Sequence, residues 1–176
     1  MTTTSSIAML TIIRSEEPRD EPAIELVTIE AFKLAPHTDH TEQFIVRELR
    51  LANALTVSLV AEANEQIIGH VAISPVQISN GADSWFGLGP ISVLPAHQGQ
   101  GIGTQLMEAA MQKLHARSAK GCVVLGDPNY YGRFGFVPVA GLVLPGVPAE
   151  YFQAVLLNSD TPQGEVTYHL AFEAKQ

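Results

Sequence analysis

Residues 89–103 read GPISVLPAHQGQGIG, an apolar run closed by glycine at every second position, Gly99, Gly101 and Gly103. Beyond it, Ile102, Leu106, Ala109, Ala110 and Leu114 recur with helical period to about residue 116. A strand that runs through bare backbone into a helix leaves successive N–H groups unscreened by Cβ atoms. The helix adds its unpaired first-turn donors and the positive end of its dipole, and together these make an anion site. The same glycines also suit an ordinary tight turn.

Loops that hold phosphates differ in their spacing. A P-loop needs lysine directly after its last glycine, and none follows here. The dinucleotide fingerprint G-x-G-x-x-G would need glycine at 104, which is Thr104, although Asp127 stands where a ribose-binding acid would lie. A third pattern, Q/R-x-x-G-x-G/A, is met without adjustment by Gln98, Gly101 and Gly103.

Working outward, residues 56–62, 66–78 and 84–95 are β-branched or aromatic runs split by the turn-like ANE and SNGAD, which predicts three successive antiparallel strands. Gly89 and Pro90 do not both fit a regular central ladder and predict a bulge or break. Upstream, residues 8–14 predict a first strand. The stripe Ile24, Val27, Ala31, Phe32 and the segment from Thr41 to about Asn53 predict two helices. Downstream come a glycine stop for the long helix at Gly121, a strand at 122–126, the glycine-rich DPNYYGRFGF, and strands at 151–157 and 165–172. The expected order is β-α-α-β-β-β-α-β-(short α)-β-β, an α/β (α+β) fold with a mixed, mostly antiparallel seven-stranded twisted sheet.

The 176 residues suit a single domain spanning 1–176, with 46% apolar and 16% charged residues. No apolar stretch reaches the roughly 20 residues of a membrane span, and no basic residue precedes the short apolar start, so neither membrane nor secretion is expected. The lone Cys122, inside KGCVVLG, fits a silent core thiol and a reducing cytoplasm. A formal charge of −8 disfavours nucleic acid and mildly favours a cationic partner.

The combination of the GPISVLP strand, Gln98-x-x-Gly101-x-Gly103, the following helix, GCVVLG and YYGRFGF resembles the GNAT superfamily of acetyl-CoA-dependent N-acetyltransferases. The acyl-CoA core so matched covers roughly residues 66–137. The flanking IRSEEPRDEPAIELVTIEAF is similar to the family's opening strand and helix. VLGDPNYYGRFGF with VPAEYFQAVLL is most similar to its YhbS-like branch.

The resemblance implies that acetyl-CoA is co-substrate, with no metal. Backbone amides of Gln98, Gly99, Gln100, Gly101, Ile102, Gly103 and Thr104 would hold its pyrophosphate, and Ile91, Ser92 and Val93 would pair with its pantetheine arm by strand addition. Many relatives carry lysine or arginine where Gln100 stands. Tyr131 matches the family tyrosine that protonates the departing thiolate, with Tyr130 as a packing neighbour that a one-residue shift would exchange with it. The fourth strand lacks the carboxylate frequent in relatives, so the base is unassigned among Glu30, His70, Asp83 or a water chain.

The acceptor implied is the amine of a small molecule or peptide, and the state a monomer or homodimer. Non-catalytic acyl-CoA sensing and a nucleotide-dependent oxidoreductase are the contrasting readings. His37, Asp39 and His40 in HTDH lack a strong zinc spacing and are expected to be a solvated loop. His97 precedes the glycine loop and could meet a phosphate, whereas His115 and His169 have no partner visible in sequence.

Overall fold

The computed structural model describes residues 10–158 and 160–176. Residues 8 and 9 of the expected first strand lie outside them. Strand β1 (Thr11–Ser15) is followed by α1 (Glu21–Phe32) and α2 (Glu42–Leu51), then β2 (Val57–Ala63), β3 (Gln66–Ile78) and β4 (Trp85–Val93). Next come α3 (Ile102–Ala116), β5 (Gly121–Leu125), the single-turn α4 (Pro128–Tyr131), β6 (Leu142–Val143), β7 (Phe152–Leu156) and β8 (Gly164–Tyr168).

The main sheet runs β1-β2-β3-β4-β5-β7. Every pair along it is antiparallel except β4–β5, which is parallel and is bridged by α3. The 13-residue β3 outruns its neighbours, and its end, Val76–Ile78, takes up β8. Among the described residues the sheet thus has eight strands, the extra one being the two-residue β6, which pairs with β8. Two residues are too short to leave an alternating pattern.

Alternation along the strands sorts the apolar side chains onto two faces. On one face, Ile102, Leu106, Met107, Ala110 and Leu114 of α3 pack on Leu59, Val71, Ile73, Leu88, Cys122 and Val124. On the other, Ile24 and Val27 of α1 and Val46 of α2 cover Val60 and Ile67. Further along that face, Trp85, Val123, Val76 and Val166 form another cluster. Arg14 ties β1 to its surroundings, its Nη1 2.7 Å from Asp20 Oδ2 and its Nε 2.8 Å from Glu62 Oε2.

Helix α3 does not stop on glycine. Ser118 takes the left-handed conformation (φ 56°), its N–H donates to His115 O, and Ala119 N–H donates to Leu114 O, which closes a Schellman turn without glycine. Gly121 instead opens β5 beneath the Trp85 indole, where a Cβ would stand 2.3 Å from a ring carbon. The final strand also ends earlier than expected, at Tyr168, and residues 170–173 form a turn of 3₁₀ helix.

Candidate active site

The predicted break in β4 is a two-for-one bulge. Val71 pairs with Ile91 and Ile73 with Leu88, so Gly89 and Pro90 together oppose Ala72. On its other side β4 pairs with β5 only from Trp85 to Leu88. Beyond Leu88 the two strands part, and among the described residues Ile91–Val93 pair with β3 alone. Leu94 N–H donates to Ile68 O at 2.9 Å, and backbone groups alternate along an antiparallel strand. Those of Ile91 and Val93 therefore face the opening.

The loop after β4 is held back against the strand by Gln98, whose Nε2 donates to Val93 O at 3.1 Å. Gly99 and Gly101 take left-handed φ values of 74° and 83°, which turn the chain into α3. Gly101 is the N-cap and has no side chain to offer, so the first-turn amides have no capping group. Gly103 meets a different demand. Its α-carbon faces the Tyr130 hydroxyl so closely that a Cβ would lie 2.6 Å from that oxygen.

Strand edge and helix start open into one groove of about 810 Å³. Of the residues expected at the donor site, Ile91, Val93, Gln98, Gly99, Gly101, Ile102, Gly103 and Thr104 line it. Two side chains lie elsewhere. Ser92 points to the α1 face, opposite His70, with its Oγ buried, and the Gln100 amide donates to Ala96 O. His97 reaches the groove, and Ala35 and Pro36 from the loop after α1 form part of its wall.

The two tyrosines of α4 diverge. Tyr130 lines the groove above the start of α3. Tyr131 packs against Gly126, meets Phe136 edge-on at 6.1 Å between ring centres, and joins the cluster beneath α3. Burial, reinforced by Tyr130 and Asp127, pushes its phenol well above the usual range, so it keeps its proton at neutral pH. Asp127 also borders the groove and caps α4 by accepting Asn129 N–H at 2.9 Å.

Arg133 is the groove residue that the sequence reading passed over. Its guanidinium lies 4.7 Å above the Tyr130 ring, and among the described residues no carboxylate pairs with it. A cation set three residues after the first tyrosine of YYGRFGF was the available signal, because one helical turn brings it back over that ring.

None of the three candidate bases lines the groove. His70 is fully buried, shares a hydrogen bond of 2.8 Å with Ser58 Oγ, and is depressed to about 3, chiefly by burial. Glu30 lies 3.8 Å from Lys33, and Asp83 binds Lys120, which holds its carboxyl below the usual value. His37, Asp39, His40 and His115 are exposed, and His169 Nδ1 accepts Ala171 N–H. Burial pushes the Cys122 thiol far up, out of nucleophilic range.

Residues 55–138 match the family model for the acetyltransferase (GNAT) domain. The uncharacterised N-acetyltransferase YhbS of Escherichia coli K12 is 36% identical over 169 residues, spanning 92% of this chain and 98% of its own. A GNAT family acetyltransferase from Brucella melitensis, solved with acetyl-CoA, is 46% identical with a TM-score of 0.83, over 93% of this chain and 98% of that one. Escherichia coli YhbS, solved with CoA, gives 34% identity and a TM-score of 0.86 over 95% and 94%. With its split β4–β5 pair and uncapped α3 opening into one groove, the chain belongs to the GNAT family of acetyltransferases.

Proposed function

We propose that this protein, a single domain over residues 1–176, moves an acetyl group from acetyl-CoA to a primary amine by direct attack in a ternary complex. The observation that carries the reading is the continuity of the open β4 edge with the α3 N-terminus in one groove. A pantetheine arm is a short chain of amides, and the Ile91 and Val93 backbone groups offer it a strand to pair with. The pyrophosphate then meets the amides of Ile102, Gly103 and Thr104 and the helix dipole. The Arg133 guanidinium supplies the positive charge that Gln100 does not.

In the reaction the amine nitrogen attacks the thioester carbonyl, and the Val93 N–H stabilises the oxyanion. The carbon–sulfur bond breaks, the Tyr131 phenol gives its proton to the thiolate, and the proton shed by the amine passes to water, from which Tyr131 regains one. Tyr131 is preferred to Tyr130 for this step by position. Tyr130 stands at the phosphate end over Gly103, whereas Tyr131 is within electrostatic reach of Tyr168, beside the parting of β4 and β5.

The lone buried thiol fits a reducing cytoplasm, and a monomer or homodimer fits the fold. Release of CoA thiol with a panel of amines tests the reading. Turnover that falls in Tyr131→Phe supports it; tight acetyl-CoA binding with no turnover on any amine replaces it with the acyl-CoA-sensing alternative.

A further inference from the structure

We infer that Tyr168, a residue far from the motif, presents its phenol oxygen to the acceptor amine; the inference rests on the acetyl-transfer reading above. Tyr168 ends β8, where it pairs with Val76 of β3. Its ring lies across Gly87 of β4, and a Cβ there would stand 2.5 Å from Cε1. The residue is only partly buried, yet its hydroxyl oxygen is buried and has no hydrogen-bond partner among the described residues. The phenol therefore points inward, with Phe172 against its ring at 4.9 Å between centres.

What it points towards is set by Gly87. That residue pairs with Val123, one position before Leu88–Val124, the last pair between β4 and β5. The oxygen thus enters the molecule beside the apex of the split, with Tyr131 and Cys122 the titratable groups bearing on it. Among the described residues no carboxylate or cation pairs with it. Phenylalanine would pack in this place without burying an unsatisfied oxygen, so a packing role alone leaves the hydroxyl as a cost.

On the acetyl-transfer reading, the face left for the acceptor is this one. Helix α3 and Tyr131 occupy one face of the sheet, and on the same reading Tyr131 is the residue at the sulfur. The nucleophile approaches the same carbonyl carbon from elsewhere, and the face carrying Tyr168 belongs to the opposite cluster. A phenol that keeps its proton has lone pairs for an amine N–H, and that contact turns the nitrogen lone pair towards the thioester. The ligand class is a primary amine with N–H to donate.

Tyr168→Phe, compared with wild type, tests this. The expected variant melts no lower than wild type and binds acetyl-CoA with the same affinity. Its kcat/KM for the amine is about tenfold lower, mostly through KM. Unchanged kcat/KM overturns the assignment, and so does a lowered melting temperature or a parallel loss of acetyl-CoA affinity, which would make the hydroxyl structural or donor-directed. A wild type inert towards every amine removes the acetyl-transfer reading itself, whereas an active wild type with an equally active variant removes only the role of Tyr168.

Discussion

Tyr131 and Tyr168 stand on opposite faces of one sheet, Tyr131 in the cluster beneath α3 and Tyr168 in the cluster around Trp85, where β4 gives up its pairing with β5. The two phenols have different expected signatures. Tyr131→Phe lowers kcat by about a hundredfold while the dissociation constant for acetyl-CoA stays put. Because burial raises this phenol above its ordinary 10, it remains protonated below pH 10, and kcat falls from its ionisation only above that. Rate profiles of wild type and Tyr131→Phe carried beyond pH 10, with acetyl-CoA titrations of both, check these points.

Gly103 is required for closeness. Gly103→Ala drives a methyl into the Tyr130 hydroxyl and is expected to weaken acetyl-CoA binding by about tenfold, by moving that ring over the proposed phosphate site. Removing the clashing oxygen in Gly103→Ala/Tyr130→Phe restores most of the affinity in calorimetric titration. Equal binding by the single and double variants would show that the contact is unimportant.

Arg133→Gln removes a groove cation and keeps a donor. Affinity for acetyl-CoA should drop about tenfold, and its dependence on ionic strength should change, whereas affinity for acetyl-pantetheine, which lacks the pyrophosphate, should hold. Titrations of both thioesters at two salt concentrations separate loss of charge from loss of packing against Tyr130.

Asp20 couples the fold to acidity. The Arg14 guanidinium and the Glu17 N–H hold its carboxyl below the usual 3.8. A depressed value means that the ionised group stabilises the fold fully above 3.8 and loses that contribution as pH falls through the folded-state value. Asp20→Asn should cost about 2 kcal/mol at pH 7, and the difference from wild type should shrink in acid. Urea unfolding at pH 7 and pH 3 measures it.

Strand positions were legible because β-branched runs and turn residues alternate clearly from 56 to 95. The bulge was legible because Gly89-Pro90 does not suit a ladder. The end of the long helix near residue 116 was legible, but its stop was misassigned to Gly121, since a serine can close a Schellman turn and glycine can serve a neighbouring indole. The glycine loop ahead of α3 was readable as a contiguous motif. The faces of α4 were not, because a four-residue helix carries no period from which to orient Tyr130 and Tyr131. Tyr168 was invisible for a different reason, being delivered by a strand pairing between residues 76 and 168.

The free edge of β4 has a price beyond catalysis. Among the described residues no strand pairs with the outer edge at Ile91 and the Val93 N–H, and such an edge is a template for any extended chain, including another molecule of the same protein. A donor lying along that edge would act as the missing strand, so the same ligand that brings the acetyl group would also guard the fold. Saturating acetyl-CoA should raise the melting temperature by mass action and slow heat-induced clumping. Cellular supply of the thioester would then govern how long the protein lasts as well as how fast it works.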